Sequence, residues 1–247
     1  MPGRISYTQE EIQNKLRQDI THVKTLYKHP AVSYTGETSG VPYCEIAAKF
    51  ISENANLDNI GMISRHTGYN EGTRTGKFQE TPDNTNDEEI VAMYMVGKTY
   101  LTIGKVIDYQ VPLKDPKGNR QDTPERKENN RGVGKIDLIS YNQETKFAYL
   151  LELKKEDNTD DTLLRALLEI YTYWKQLDHT IFRNTYNMPK TAPIIPAILI
   201  FKDSLQYKQC DRKKYPETNK LIDRLGVPIF VAEESEPRTY IITKLER

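Results

Sequence analysis

Asp137, Glu152 and Lys154 are the residues of this chain whose types and spacing could do chemistry. They lie in GKIDLISYNQETKFAYLLELK, residues 134–154, where two apolar runs flank a short polar turn. The first run carries a lone acid, Asp137, and the second carries Glu152 and Lys154 two positions apart. Side chains alternate along a strand, so residues two apart share a face. Glu152 and Lys154 are therefore expected on one face, with Leu151 and Leu153 on the other. Two carboxylates and an ammonium in a buried hairpin are costly unless they pair with each other or hold a metal. That cost points to chemistry.

The acid-x-Lys spacing alone carries little weight. It occurs five times, at Asp115, Glu125, Glu144, Glu152 and Asp211. Only Glu152-x-Lys154 sits in an apolar run, and only it follows another apolar run with a single acid. The other four lie in polar loops, where ion pairs are solvated and contribute little.

The elements that must position these residues are legible from periodicity. Ile12, Leu16, Ile20, Val23 and Tyr27 recur at helical spacing, which predicts one helix over residues 8–28, opened by a Thr8/Glu11 capping box. A second helix is predicted over 42–53 and a loop over 61–86, rich in Gly, Thr, Asn and Arg. A third helix, starting near Asn86 or Asp87 with acids in its first turn, runs to Gly97. A strand follows at 104–112, with Ile107, Tyr109 and Val111 on one face. Residues 114–132, with ten charges and no large apolar side chain, read as an insertion. Strands at 133–141 and 146–154 precede an amphipathic helix at 160–177, whose stripe is Leu163, Leu164, Leu167, Ile170, Tyr171 and Trp174. The apolar run 194–201 predicts a strand buried on both faces. A short helix at 217–225 and strands at 227–232 and 239–245 close the chain. This order implies a mixed sheet with helices on both faces.

Asp137, then Glu152-Leu153-Lys154 in a hairpin, then an amphipathic helix and a buried strand, resembles the PD-(D/E)XK nuclease superfamily, also called restriction-endonuclease-like. The likeness covers about residues 86–203, and Lys135-Ile136 stands where the naming Pro would precede Asp137. The resemblance implies an α/β fold: a restriction-endonuclease-like mixed sheet flanked by helices over residues 86–247, with a helical extension at 1–85 packed on it. It implies metal-dependent hydrolysis of phosphodiester bonds, in DNA more than RNA. Asp137, Glu152 and the Leu153 backbone carbonyl would bind Mg²⁺ or Mn²⁺. Lys154 would orient or help deprotonate the attacking water, or stabilise developing charge. Some members add a helical Glu; Glu89 is preferred here over Glu88 because Ala92, Met93 and Val96 fall near its face. Arg165, Glu169 and Tyr173, spaced four by four, are the supporting residues on the crossover helix, with a surface Arg165–Glu169 pair as the plainer alternative.

The basic run Lys208, Arg212, Lys213 and Lys214 could meet a phosphate backbone or form a solvated loop face. The remaining composition excludes more than it suggests. Lys plus Arg equals Asp plus Glu at 35 each, so no global charge draws nucleic acid. Two cysteines and four scattered histidines offer neither zinc nor triad spacing. The N-terminus lacks an apolar signal region and no run is long enough to span a bilayer, so a cytoplasmic protein is expected. A homodimer stays open. Two alternatives also stay open: an inactive nucleic-acid- or protein-binding module of the same fold, and an unrelated α/β protein whose ion pair is structural.

Overall fold

The computed structural model describes residues 6–70, 87–115 and 134–247. The chain enters through α1 (Gln9–Asp19), a 3-10 turn (Val23–Lys28) and the short α2 (Pro30–Ser33). A small hairpin of β1 (Glu37–Thr38) and β2 (Val41–Pro42) leads into α3 (Tyr43–Asn54). Then come α4 (Asp87–Met95), β3 (Thr99–Tyr100), β4 (Gly104–Pro112), β5 (Lys135–Tyr141) and β6 (Ala148–Lys154). Helices α5 (Leu163–Gln176) and α6 (His179–Thr185) precede β7 (Ile194–Phe201). The chain ends with α7 (Leu205–Lys208), α8 (Pro216–Leu225), β8 (Ile229–Glu236) and β9 (Thr239–Lys244).

Strands β3 to β9 form one seven-stranded sheet in sequence order. Strands β6, β7 and β8 run parallel, and every other neighbouring pair is antiparallel. This is a mixed α/β fold with helices on both faces. On one face α4 sets Val91, Ala92 and Met95 against Leu138, Leu151, Leu153 and Phe230. The other face carries the larger core, where residues of α1, α3, α5 and α8 meet Ile139, Leu150 and Ile198. Strands β6 and β7 are covered on both sides, which is why they read as unbroken apolar runs. Among the described residues no helix is long and apolar enough to cross a membrane.

The Thr8/Glu11 capping box is present at the start of α1. The single helix expected over 8–28 is not. It breaks after Asp19, and Val23, Leu26 and Tyr27 are buried from a separate 3-10 turn. The two pieces serve different partners: α1 packs on α3, and the turn packs on α5. One straight rod could not face both. The expected alternation in β4 also fails. A bulge between Val106 and Asp108, and a left-handed backbone at Gln110 (φ 51°), interrupt it. Tyr109 and Leu138 fall in the α4-side core, whereas Val111 and Ile136 fall in the other. Of the loops expected at 61–86 and 114–132, residues 71–86 and 116–132 lie outside the described residues, as does residue 133 at the start of the following expected strand. The start of the first is tied down by the buried Arg65, whose guanidinium donates to the carbonyls of Thr67, Gly68, Pro112 and Lys114.

Residues before α4 share the larger core with the sheet. Buried Glu45 of α3 caps α8 from outside: its carboxylate accepts from the N–H groups of Glu217 (2.6 Å) and Thr218 (2.9 Å). A carboxylate there satisfies two orphan donors and complements the helix dipole. Glu45→Ala should cost about 2–3 kcal/mol, the range for hydrogen bonds to a charged group. Urea unfolding checks this, and an unchanged midpoint would remove Glu45 from the account of how α3 and α8 are joined.

Candidate active site

The β5–β6 ladder holds to the Leu138/Leu151 pair and ends there. Asp137 and Glu152 are the next residues along, at the mouth where the strands part. Asp137 turns its carboxylate into the gap: Oδ2 accepts from the Leu153 N–H at 2.9 Å, and Oδ1 from the Gln110 side-chain amide at 3.1 Å. In an extended strand the N–H and C=O of one residue point to the same edge. The Leu153 carbonyl therefore opens on the same gap. Glu152 and Lys154 share the α5 face of β6, while Leu151 and Leu153 face the α4 core. This is the division of faces that alternation predicts.

Lys154 is the hub. Its ammonium lies 2.8 Å from Glu152 Oε1, 3.2 Å from Asp161 Oδ2 and 3.9 Å from Glu88 Oε2. Glu88 also fixes the following loop, accepting from the Lys155 N–H and the Asn158 amide through Oε1. Asp161 shares its other oxygen with Arg165, which reaches on to Glu169 (3.8 Å). Tyr173 donates to Glu169 Oε1 at 2.6 Å, and its hydroxyl lies 3.4 Å from that of Tyr27. Residues 161, 165, 169 and 173 thus form one stripe at four-residue spacing, directed at the hairpin from α5 and the residue two before it. The α5 N-terminus is held by its Thr162 cap and by Gln209, whose side chain accepts from the Leu163 N–H.

Charge is concentrated here. Among the described residues five carboxylates, those of Asp137, Glu152, Glu88, Asp161 and Glu169, face two cations, Lys154 and Arg165. Desolvation, with Glu88 and Glu169 adding to it, pushes the Asp137 carboxyl up to about 7, although Lys154 and the Leu153 N–H oppose the rise. Glu152, 3 % exposed, is raised well above the ordinary carboxylate range by burial, then by Asp137 and Glu169. For Lys154, burial alone would lower the pKa; Glu152, Asp137, Glu88 and Asp161 outweigh it and hold the ammonium charged well past the usual lysine value. The surrounding carboxylates therefore favour the ammonium form of Lys154.

The raised acids make stability depend on pH. A carboxyl that keeps its proton to about 7 when folded, against 3.8 in the open chain, binds more protons folded than unfolded between those values. Stability from this source is full below the lower value and is lost as pH rises through the upper one. The melting temperature of metal-free protein should fall from about pH 5 to pH 8, and Asp137→Asn should flatten that fall. Identical slopes for the two proteins would remove Asp137 as the titrating group.

The donor set suits a hard divalent cation. Glu152 Oε2 is buried and, among the described residues, has no hydrogen-bond partner. An orphaned carboxylate oxygen beside a second carboxylate and a backbone carbonyl is what a cation would satisfy. Among the described residues no group of three His, Cys, Asp or Glu is arranged to hold a metal ion.

The structure brings together Asp137, Glu152, Leu153, Lys154, Arg165, Glu169 and Tyr173. Of the two α4 acids, Glu88 meets Lys154 and stands where α4 begins, beside the end of β6, while Glu89, the sequence's candidate ligand, is buried on α4. The basic run is not brought to the same place. Lys208, Arg212 and Lys214 line a cavity of about 700 Å³ that includes none of Asp137, Glu152 or Lys154, and Arg212 is forked onto Asp223. Lys213 lines a different cavity beside α3. Sequence reasoning missed Asp161, although it extends the Arg165–Glu169–Tyr173 spacing one step back. It also missed Gln110 and Tyr27, which only register and packing place here. No family model, curated protein or solved structure matches this chain.

Proposed function

We propose that this protein is a metal-dependent nuclease of the PD-(D/E)XK, restriction-endonuclease-like type that hydrolyses phosphodiester bonds, in DNA more than RNA. The observation carrying this reading is the meeting of Asp137 and Glu152 where β5 and β6 part, with an unsatisfied buried Glu152 oxygen and Lys154 on the same face. The order of α4, the antiparallel strands β3 to β6, the crossover helices α5 and α6 and the parallel strand β7 supports the scaffold.

Asp137, Glu152 and the Leu153 carbonyl would hold Mg²⁺ or Mn²⁺. When bound, the cation would supply Lewis-acid charge for a phosphate and acidify a water. Asp137 and Glu152 must give up their protons to hold it, so binding should release protons and tighten as pH rises. Lys154 would orient or help deprotonate the attacking water, or stabilise negative charge growing on the phosphate oxygens. Asp161 and Glu88 fix the direction of its ammonium, and Arg165 fixes Asp161. The saturation of Lys154 by three carboxylates favours a second reading, a binding module of the same scaffold in which the lysine is only an ion-pair hub.

The deciding experiment incubates supercoiled plasmid, single- and double-stranded DNA oligonucleotides and RNA with the protein and Mg²⁺ or Mn²⁺. Cleavage is expected, strongest on DNA. Intact substrates throughout would sink the nuclease reading and leave the binding module.

A further inference from the structure

Among the described residues Gln110 is the one bonded to Asp137 through a side chain of its own, and it sits in a conformation a strand does not favour. Its φ is 51°, in the left-handed region that non-glycine residues occupy at a cost. The flanking β4–β5 pairs, Tyr109 with Leu138 and Val111 with Ile136, keep one register beyond the bulge at Val106/Asp108, so the break in pairing falls at Gln110 and Asp137. Across that break the Gln110 amide donates to Asp137 Oδ1. Strain held at one position, facing the acid on which the site depends, asks for a use.

We infer that Gln110 is a positioning residue that presets the Asp137 carboxylate for a divalent cation; the inference rests on the metal site proposed above. With only the Leu153 N–H on Oδ2, the carboxylate could swing about its Cβ–Cγ bond. The second donor, on the other oxygen, fixes its plane. Each carboxylate oxygen has two lone pairs, so each keeps one for a cation after accepting its hydrogen bond. The left-handed turn places the amide there: it flips β4 between the two cores, so that Tyr109 faces one and Val111 the other, while Gln110 looks across at Asp137.

The test uses Gln110→Gly, which adopts the same φ without strain but has no amide, and Gln110→Asn, which tolerates the left-handed region but is one methylene shorter. Both should melt no lower than wild type. Both should bind Mn²⁺ about 10-fold more weakly by calorimetry, the scale of losing a group that orients a ligand. A purely structural role would move these the other way, lowering stability and sparing affinity. A metal-free readout separates this inference from the nuclease reading. In ¹⁵N-labelled protein the Gln110 side-chain amide resonances should shift in Asp137→Asn. Wild type that binds no Mn²⁺ would end the metal site as proposed and with it this role. Wild type that binds Mn²⁺ but does not cleave would end only the nuclease reading. Unchanged Mn²⁺ affinity in both Gln110 variants, or Gln110 amide resonances indifferent to Asp137→Asn, would overturn the role assigned to Gln110.

Discussion

Asp137→Asn should leave the fold intact and reduce Mg²⁺- or Mn²⁺-dependent cleavage by on the order of 10²–10³-fold or more, the scale of removing one preorganised charge-stabilising group. Asparagine has the same shape. Its oxygen can keep the Leu153 N–H, and the Gln110 amide can rotate to offer its own oxygen to the new NH₂. What disappears is a hard anionic ligand and a titrating group held near 7. Removing it also relieves Glu152, whose carboxyl Asp137 pushes up. The variant should therefore melt no lower than wild type at pH 8 without metal while cleaving far more slowly. Nicking rates and melting curves measured on the same preparations check both halves. Wild-type cleavage by Asp137→Asn would take this carboxylate out of the catalytic set.

Lys154→Met should be costly to the fold as well as to activity. Lys154 is 4 % exposed, and removing it strands the charge of Glu152 against Asp137 and Glu169. Breaking a buried pair by deleting one partner costs about 3–5 kcal/mol. The raised Glu152 carboxyl can escape part of this by taking a proton, so the loss should be larger at pH 8 than at pH 5. Adding Glu152→Gln should restore most of the lost stability, because the stranded charge is gone, but should restore no cleavage. Urea unfolding at the two pH values, alongside plasmid nicking, separates the structural from the catalytic contribution. A Lys154→Met protein that is both stable and active would reduce the lysine to a bystander.

Much of this was legible in the sequence because it depended on local periodicity. The apolar runs of β6 and β7, the stripe on α5 and the Thr8/Glu11 box all follow from short-range rules of side-chain direction. So does the placement of Glu152 and Lys154 on one face. Elements that failed did so where two distant surfaces competed for one segment. Residues 8–28 keep helical spacing throughout, yet α3 and α5 require different directions and the helix breaks. The alternation of Tyr109 and Val111 was sound as a pattern, but the left-handed backbone at Gln110 exchanges the strand's faces between them.

The residue types and the two-residue spacing determined by themselves that a carboxylate and an ammonium would share a strand face, and that the face would be buried. Apolar periodicity likewise determined the order of the longer helices and strands, but not β3, α6 or α7. Only the tertiary structure decided what that pair would meet. Asp137 reaches Leu153 because the ladder ends one residue short of it. Lys154 reaches Glu88 and Asp161 because α4 and α5 both begin beside the end of β6. The basic run at 208–214, as readable in the chain as any other feature, was carried to two other cavities. The physical reason is range. Side-chain direction within an element is set by neighbours a few residues away, whereas the partners of a buried charge are set by which elements pack together, and that depends on the whole core.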